Sequence, residues 1–194
     1  MPWTGQDLGK FEQEWSMKPV SISGVMDHKR EIKVEKWKDG EKGVDLCTPF
    51  YTHLDKDGNP CGIMVNRGWL PYDLKDFRYD RAAETSNLKG VLYRGDPETK
   101  YSKPNQPANH WYTTVRPNEL ATVCQLANNE EASQFMIKLV DFDSKARTPM
   151  PDVVSAEELQ EFPITAERHA AYEQLWNGVA YAGILANAAV WLYL

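Results

Sequence analysis

Short runs of alternating apolar and polar residues, separated by clusters of turn formers, dominate the first 160 residues of the chain. "PVSISGVMD" reads as a strand, "HK" as a turn and "REIKVEKW" as a second strand, where Ile32 and Val34 alternate with charged neighbours. "KDGEKG" is turn material, and "VDLCTPFYTHL" is a third strand. "DKDGNP" then predicts a tight hairpin with Asp57-Gly58 at its centre, and "CGIMVNRGWLP" is the returning strand. "NLKGVLYRGD" and "QFMIKLVDFD" are two more strand segments. Between them, the proline-punctuated "KYSKPNQPANHWYTTV" reads as a structured loop, and Pro117 opens a helix over 117–129. The stretch 72–86 is polar and reads as a loop or short helix, and "SAEELQ" as one helical turn.

The final segment differs in kind. "WNGVAYAGILANAAVWLYL", Trp176 to Leu194, has no charged residue. As a helix it would be about 28 Å long, close to the ~30 Å hydrocarbon core of a bilayer. Trp176 lies near one end, with Trp191 and Tyr193 near the other, as in an interfacial aromatic belt. Gly178, Ala182 and Ala186 form a small-residue stripe, while Asn177 and Asn187 suit a helix that packs on other helices. The pattern therefore predicts an α+β protein: an antiparallel, barrel-like β domain with one covering helix and a C-terminal transmembrane helix. Its parts are a polar lead-in over 1–18, a β-rich soluble domain over 19–165, and a C-terminal helix over 166–194 whose membrane span covers about 176–194.

The strand that ends in "GIMVNRGWLP" carries an oddity. Ile63, Val65 and Arg67 fall on one face by the period of two, Gly68 permits a bulge or close backbone approach, and Pro71 ends regular pairing. Two readings stand. In one, Arg67 stitches a carbonyl or carboxylate at the sheet edge while Trp69 plugs the end of the barrel; in the other, both contact a partner directly.

Composition narrows the function. The 194 residues are 42% hydrophobic, slightly below the usual globular range, and an ordinary 26% charged, and seven tryptophans and nine tyrosines favour cores, interfaces and membrane boundaries. A net charge of −6 and the absence of basic runs argue against a nucleic-acid surface. Cys47, Cys61 and Cys124 have no zinc or copper spacing; they are three buried thiols or include one Cys47–Cys61 bridge. The four histidines, His28, His53, His110 and His169, have no metal-ligand spacing, and no nucleophile, phosphate-loop or dinucleotide motif occurs. Asp27-His28 reads as a surface turn rather than an acid–base pair. No catalytic residue and no metal site are assigned, and the protein is not read as an enzyme.

On the C-terminal helix, His169, Tyr172 or Glu173, Trp176, Ala180 and Gly183 share a face. A histidine above small residues offers an axial ligand to a porphyrin edge. The alternative is an interfacial histidine paired with Glu173 at i+4.

These segments, in order, resemble the Surfeit-locus-one family of cytochrome c oxidase assembly proteins. The resemblance rests on Gly24, Asp27 and Glu31 of a G-x-x-D-x-x-x-E element, on Thr48, Pro49 and Phe50, and on the string Val65, Asn66, Arg67, Gly68, Trp69, Leu70 and Pro71. It continues through Asn105, Pro107, Asn109, Trp111 and Tyr112, and ends with His169, Tyr172 and Trp176. It implies a β-rich domain on the intermembrane-space side of the mitochondrial inner membrane, and a role in maturing cytochrome c oxidase around the haem-carrying core subunit. It further implies haem a binding centred on His169, with Tyr172 and Trp176 beside it. Asn66, Arg67, Gly68, Trp69, Pro71, Asn105, Pro107, Asn109 and Trp111 become structural or partner-contact positions, and oxidase subunits and membrane lipids become the partners. The chain departs from the family in starting just before the first strand, without the first transmembrane helix, in carrying Glu173 at the start of the span, and in lacking a basic tail. A permanent accessory subunit of a divergent complex IV, or of a respiratory supercomplex, is the competing expectation. A small-molecule enzyme on a barrel has no cluster of titratable groups to support it.

Overall fold

The computed structural model describes residues 17–75, 85–97, 99–100, 102–128, 130, 134–142, 150–160 and 166–193. The chain divides into two compact units, 1–156 and 157–194. The lead-in over 1–16 lies outside the described residues, as does much of the expected loop or helix over 72–86.

Among the described residues of unit 1 seven strands form one sheet: β1 (Pro19–Met26), β2 (Ile32–Lys38), β3 (Glu41–Leu54), β4 (Pro60–Pro71), β5 (Thr85–Tyr93), β6 (Met136–Asp141) and β7 (Val154–Ser155). Helix α1 (Pro117–Val123) lies between β5 and β6. The hairpin at 55–59 forms as expected. The Asp55 carboxylate accepts from the backbone N–H of Asp57 and Asn59 (2.9 and 2.7 Å), which closes the loop between β3 and β4.

The 14-residue β3 organises the sheet. Along one edge it pairs first with β2, through Glu41–Cys47, and then with β1, through Phe50 and Tyr51. Pro49 occupies the gap between the two pairings, where no ladder N–H is needed, and its carbonyl accepts from the Asp27 N–H (3.0 Å). The other edge of β3 pairs with β4 throughout. The pairings β1–β5, β5–β6, β6–β4, β4–β3 and β3–β1 return to their starting strand.

The expectation of an antiparallel sheet is corrected. β4 runs parallel to β6, with Met64 beside Met136, and β6 runs parallel to β7. The long connection through α1 permits this, because a parallel pair needs a crossover that a hairpin cannot supply.

Two cores result. Met26, Phe50, Val65, Leu88 and Ile137, from five different strands, pack together with Val20, Ile22, Ile63, Leu92 and Leu139 around them. On the other face, Ile32, Val34, Cys47, Met64 and Met136 pack against Tyr112, Val115, Leu120, Ala121, Cys124 and Leu126, so α1 and its flanks cover the sheet. The helix is shorter than the expected 117–129. Gln125 turns left-handed (φ 54) and Leu126 N–H reaches back to Ala121 C=O (3.2 Å), a C-terminal cap that stops the helix. The chain then returns to the sheet, where Ala127 N–H bonds Pro60 C=O.

Unit 2 contains helix α2 (Ala166–Tyr193). Within it, Ala170–Leu192 is long and apolar enough to cross a membrane. This stretch begins ahead of the expected 176 and takes in Glu173. Its 23 residues span about 34 Å at ~1.5 Å per residue.

Candidate functional site

Three sequence motifs far apart in the chain meet where β1 turns into β2. Asp27 ends β1 and caps the one-turn 3-10 segment His28–Arg30 by accepting from Lys29 N–H (3.0 Å). The turn carries His28 and Glu31 across Thr48 of β3. Arg67 of β4 donates to Glu31 Oε2 (2.9 Å), which also accepts from the Thr48 hydroxyl (3.0 Å). His28 Nδ1 lies 3.3 Å from the same guanidinium nitrogen. Arg67 is only 4% exposed and the Glu31 side chain 9%, so this is an enclosed ion pair. Asp27 also accepts from Tyr51 (3.0 Å); burial and that bond together push the tyrosine up to about 12. Gly24 lets β1 approach this closely: a Cβ there would sit 2.2 Å from Tyr51 O and 2.7 Å from the Phe50 ring.

The rest of the "VNRGWLP" string fixes the end of β4. Asn66 is buried; its amide donates to Asp45 Oδ2 (2.9 Å) and its oxygen accepts from Gly68 N–H (2.9 Å). Burial raises the Asp45 carboxyl above its usual range, against the opposing Asn66 bond. Between Asn66 and Trp69 the register with β3 slips, and Gly68 takes φ +123. Its bare Cα leaves room for Asp152 O, which a Cβ would approach to 2.5 Å. Trp69 and Asp152 then exchange both backbone hydrogen bonds (2.9 and 2.7 Å). The half-buried Trp69 indole donates to Lys36 C=O at 3.5 Å. Pro71 closes β4 opposite Gly43.

The "NQPANHWY" residues lie on the loop that leads into α1. Asn105 donates to Thr114 C=O (2.9 Å) and Glu119 (2.7 Å), and accepts from Thr113 and Thr114 N–H. Pro107 and Asn109 make a single 3-10 turn, and Trp111 bridges back to Gln106. Tyr112 sits in the core beneath α1.

Of His169, the structure describes only the helical backbone. Tyr172 and Trp176 are 52% and 68% exposed on α2, and nothing approaches a Cβ built on Gly178 or Gly183. Gly178, Ala182 and Ala186 are exposed helical positions. All three cysteines are buried thiols, and none is in a disulfide. Among the described residues no group of three His, Cys, Asp or Glu side chains has the geometry to hold a metal ion.

Sequence reading named Glu31, Arg67 and Thr48 but did not join them. It missed Asp45 and Asp152 entirely, since no local pattern marks a residue whose partner lies across the sheet. In chemical terms the arrangement is a clamp: the enclosed ion pair and the hydrogen bonds of Glu31, Thr48, Asn66 and Trp69 tie β1, β3, β4 and the 152–155 segment together.

The fold and these junctions define a mixed α+β domain followed in sequence by an apolar, membrane-type helix. Compared with models of known families, the chain matches the SURF1 family over residues 2–181, and it belongs to that family, one generally involved in cytochrome oxidase assembly. A comparison with curated proteins returned no match.

Proposed function

We propose that this protein assists the biogenesis of cytochrome c oxidase from the mitochondrial inner membrane, with its sheet domain in the intermembrane space and α2 as a bilayer anchor. Its partners on this reading are oxidase subunits, first the haem-carrying core subunit. The observation that carries the reading is family membership across residues 2–181. The length and apolar character of α2 support the membrane anchor. The clamp of buried groups bonded to one another supports an architectural rather than a catalytic role for these motif residues. The circuit of strand pairings supports a barrel-like sheet.

We further propose haem a as a cargo, with His169 as axial ligand. The donor set fits one side of the group: an imidazole at the start of α2, Tyr172 and Trp176 on the following turns, and a small-residue surface at Ala180 and Gly183. The bound group would be the redox centre handed to the oxidase. Detergent-solubilised protein should show haem absorbance that His169→Ala removes, and cells carrying that variant should contain haem-deficient oxidase. Normal oxidase haem content with His169→Ala refutes the cargo role.

The small, exposed stripe Gly178, Ala182 and Ala186, with Asn177 and Asn187, favours a second reading, a permanent accessory subunit of complex IV packed through α2. Stoichiometric co-purification with mature, active oxidase supports the subunit. Recovery only with early, haem-deficient intermediates supports the assembly factor.

A further inference from the structure

Among the described residues of unit 1 the most exposed tryptophan is Trp37, on β2, at 71%. It stands in a row that crosses three elements at one end of the sheet. Trp37 is the cross-strand partner of Lys42 on β3, and the Lys42 ammonium lies 4.4 Å from the centre of the Tyr72 ring, just past the end of β4. The Lys75 ammonium covers the same ring at 3.8 Å. The order is therefore Trp, Lys, Tyr, Lys, with Tyr72 itself 36% exposed. Lys42 also pairs with Glu35 (3.1 Å), and the exposed Asp39, Glu41 and Asp73 lie close by in sequence, Glu41 as the first residue of β3 and the other two in turns. The row is amphipathic rather than net cationic.

Amphipathic aromatics interleaved with lysines are what the headgroup layer of a bilayer selects: each has an apolar body and a polar tip. The C-terminal residues of unit 1 also lie at this end. Lys38, next to Trp37, is ion-paired with Asp152, which is bridged to Trp69, and unit 1 ends four residues later at Ala156. We propose that the Trp37–Lys42–Tyr72–Lys75 row is a surface that rests in the headgroup layer of a phospholipid bilayer. This rests on the membrane reading of α2, so the test measures that reading separately.

The full chain is reconstituted as single copies in phosphatidylcholine nanodiscs, with one nitroxide label at a time on Trp37→Cys, Asp57→Cys or Ile184→Cys. Buried Cys47, Cys61 and Cys124 leave the introduced thiol as the accessible one. Position 57 is the tip of the β3–β4 hairpin, at the far end of β3 from Lys42, and 184 lies within the apolar window of α2. Collisions with oxygen and with a water-soluble nickel chelate are read by electron paramagnetic resonance. The expected result is a label at 184 open to oxygen and shielded from nickel, a label at 57 open to nickel, and a label at 37 whose nickel accessibility is several-fold below that at 57 while oxygen accessibility rises. With 184 deep, a label at 37 as open to nickel as that at 57 overturns the headgroup contact. A label at 37 shielded from both reagents also overturns it, and indicates protein contact instead. A label at 184 open to nickel overturns the membrane reading itself, and the inference with it.

Discussion

Replacing Arg67 by alanine separates a clamp from a contact surface. The Arg67 guanidinium is 4% exposed and lies 2.9 Å from Glu31 Oε2, whose side chain is 9% exposed. Truncation leaves that carboxylate enclosed without its guanidinium. Breaking one side of a buried pair costs about 3–5 kcal/mol, most of it the penalty of the charge left behind. The Thr48 hydroxyl remains as a donor to the same oxygen, which places the loss toward the lower end. For a unit of this size each kcal/mol is worth about 2–4 °C in melting temperature, so Arg67→Ala should melt on the order of 10 °C lower. Solubilised protein followed by tryptophan fluorescence and circular dichroism gives the measurement. Two further variants test the cause. Arg67→Lys keeps the charge but not the fork and should fall between. Adding Glu31→Gln to Arg67→Ala should recover much of the loss, because the stranded charge is gone, and a double-mutant cycle then reports the coupling. An unchanged melting temperature for Arg67→Ala, with weakened oxidase association, would refute the clamp and leave Arg67 as a partner contact.

Four other outcomes follow from the geometry. Burial holds the Asp45 carboxyl above its ordinary 3.8, so its contribution to stability is fully present below that value and is lost as pH rises through the folded value; relative to Asp45→Asn, which keeps an acceptor for the Asn66 amide, wild-type stability in urea titrations should decline with rising pH across that window. Gly68→Ala places a Cβ against Asp152 O at φ +123 and should destabilise by at least about 2 kcal/mol, with loss of amide protection at Trp69 and Asp152 in hydrogen exchange. Gln125→Gly relieves a left-handed non-glycine residue at the end of α1 and should stabilise by about 0.5–1 kcal/mol in the same melts. The three cysteines should resist alkylation in native protein and all react after denaturation, since burial raises Cys47 well above its usual range and Cys124 to about 11.

Local chemistry was readable where it acts over a few residues. Strand-forming runs bounded by turn residues mark β1 to β6, Asp57-Gly58 marks the hairpin, and Pro117 marks the first turn of α1, because strand propensity, turn dihedrals and a missing N–H are properties of adjacent residues. Two-residue β7 is too short to show any period. The pattern of "NELATVCQLANN" continues past residue 124, yet the helix stops there: the return of Ala127 to Pro60, and of Asn128 to Gly62, outweighs the small propensity for further turns. Strand order was likewise hidden. The parallel β4–β6 pair joins residues 72 apart, as Met64 beside Met136, and nothing in either strand states its partner.

The sequence by itself determined the family, the strand segments and the uncharged run of α2, since each is written in motifs or in contiguous composition. Only the tertiary structure decided that Arg67 neutralises Glu31 across 36 residues, that Gly68 exists to admit the Asp152 backbone, and that Trp37, Lys42 and Tyr72 align in one row. The physical reason is the same in each case. A charge, a close approach or a surface row takes its meaning from the group opposite, and chain crossing rather than chain order sets that opposition.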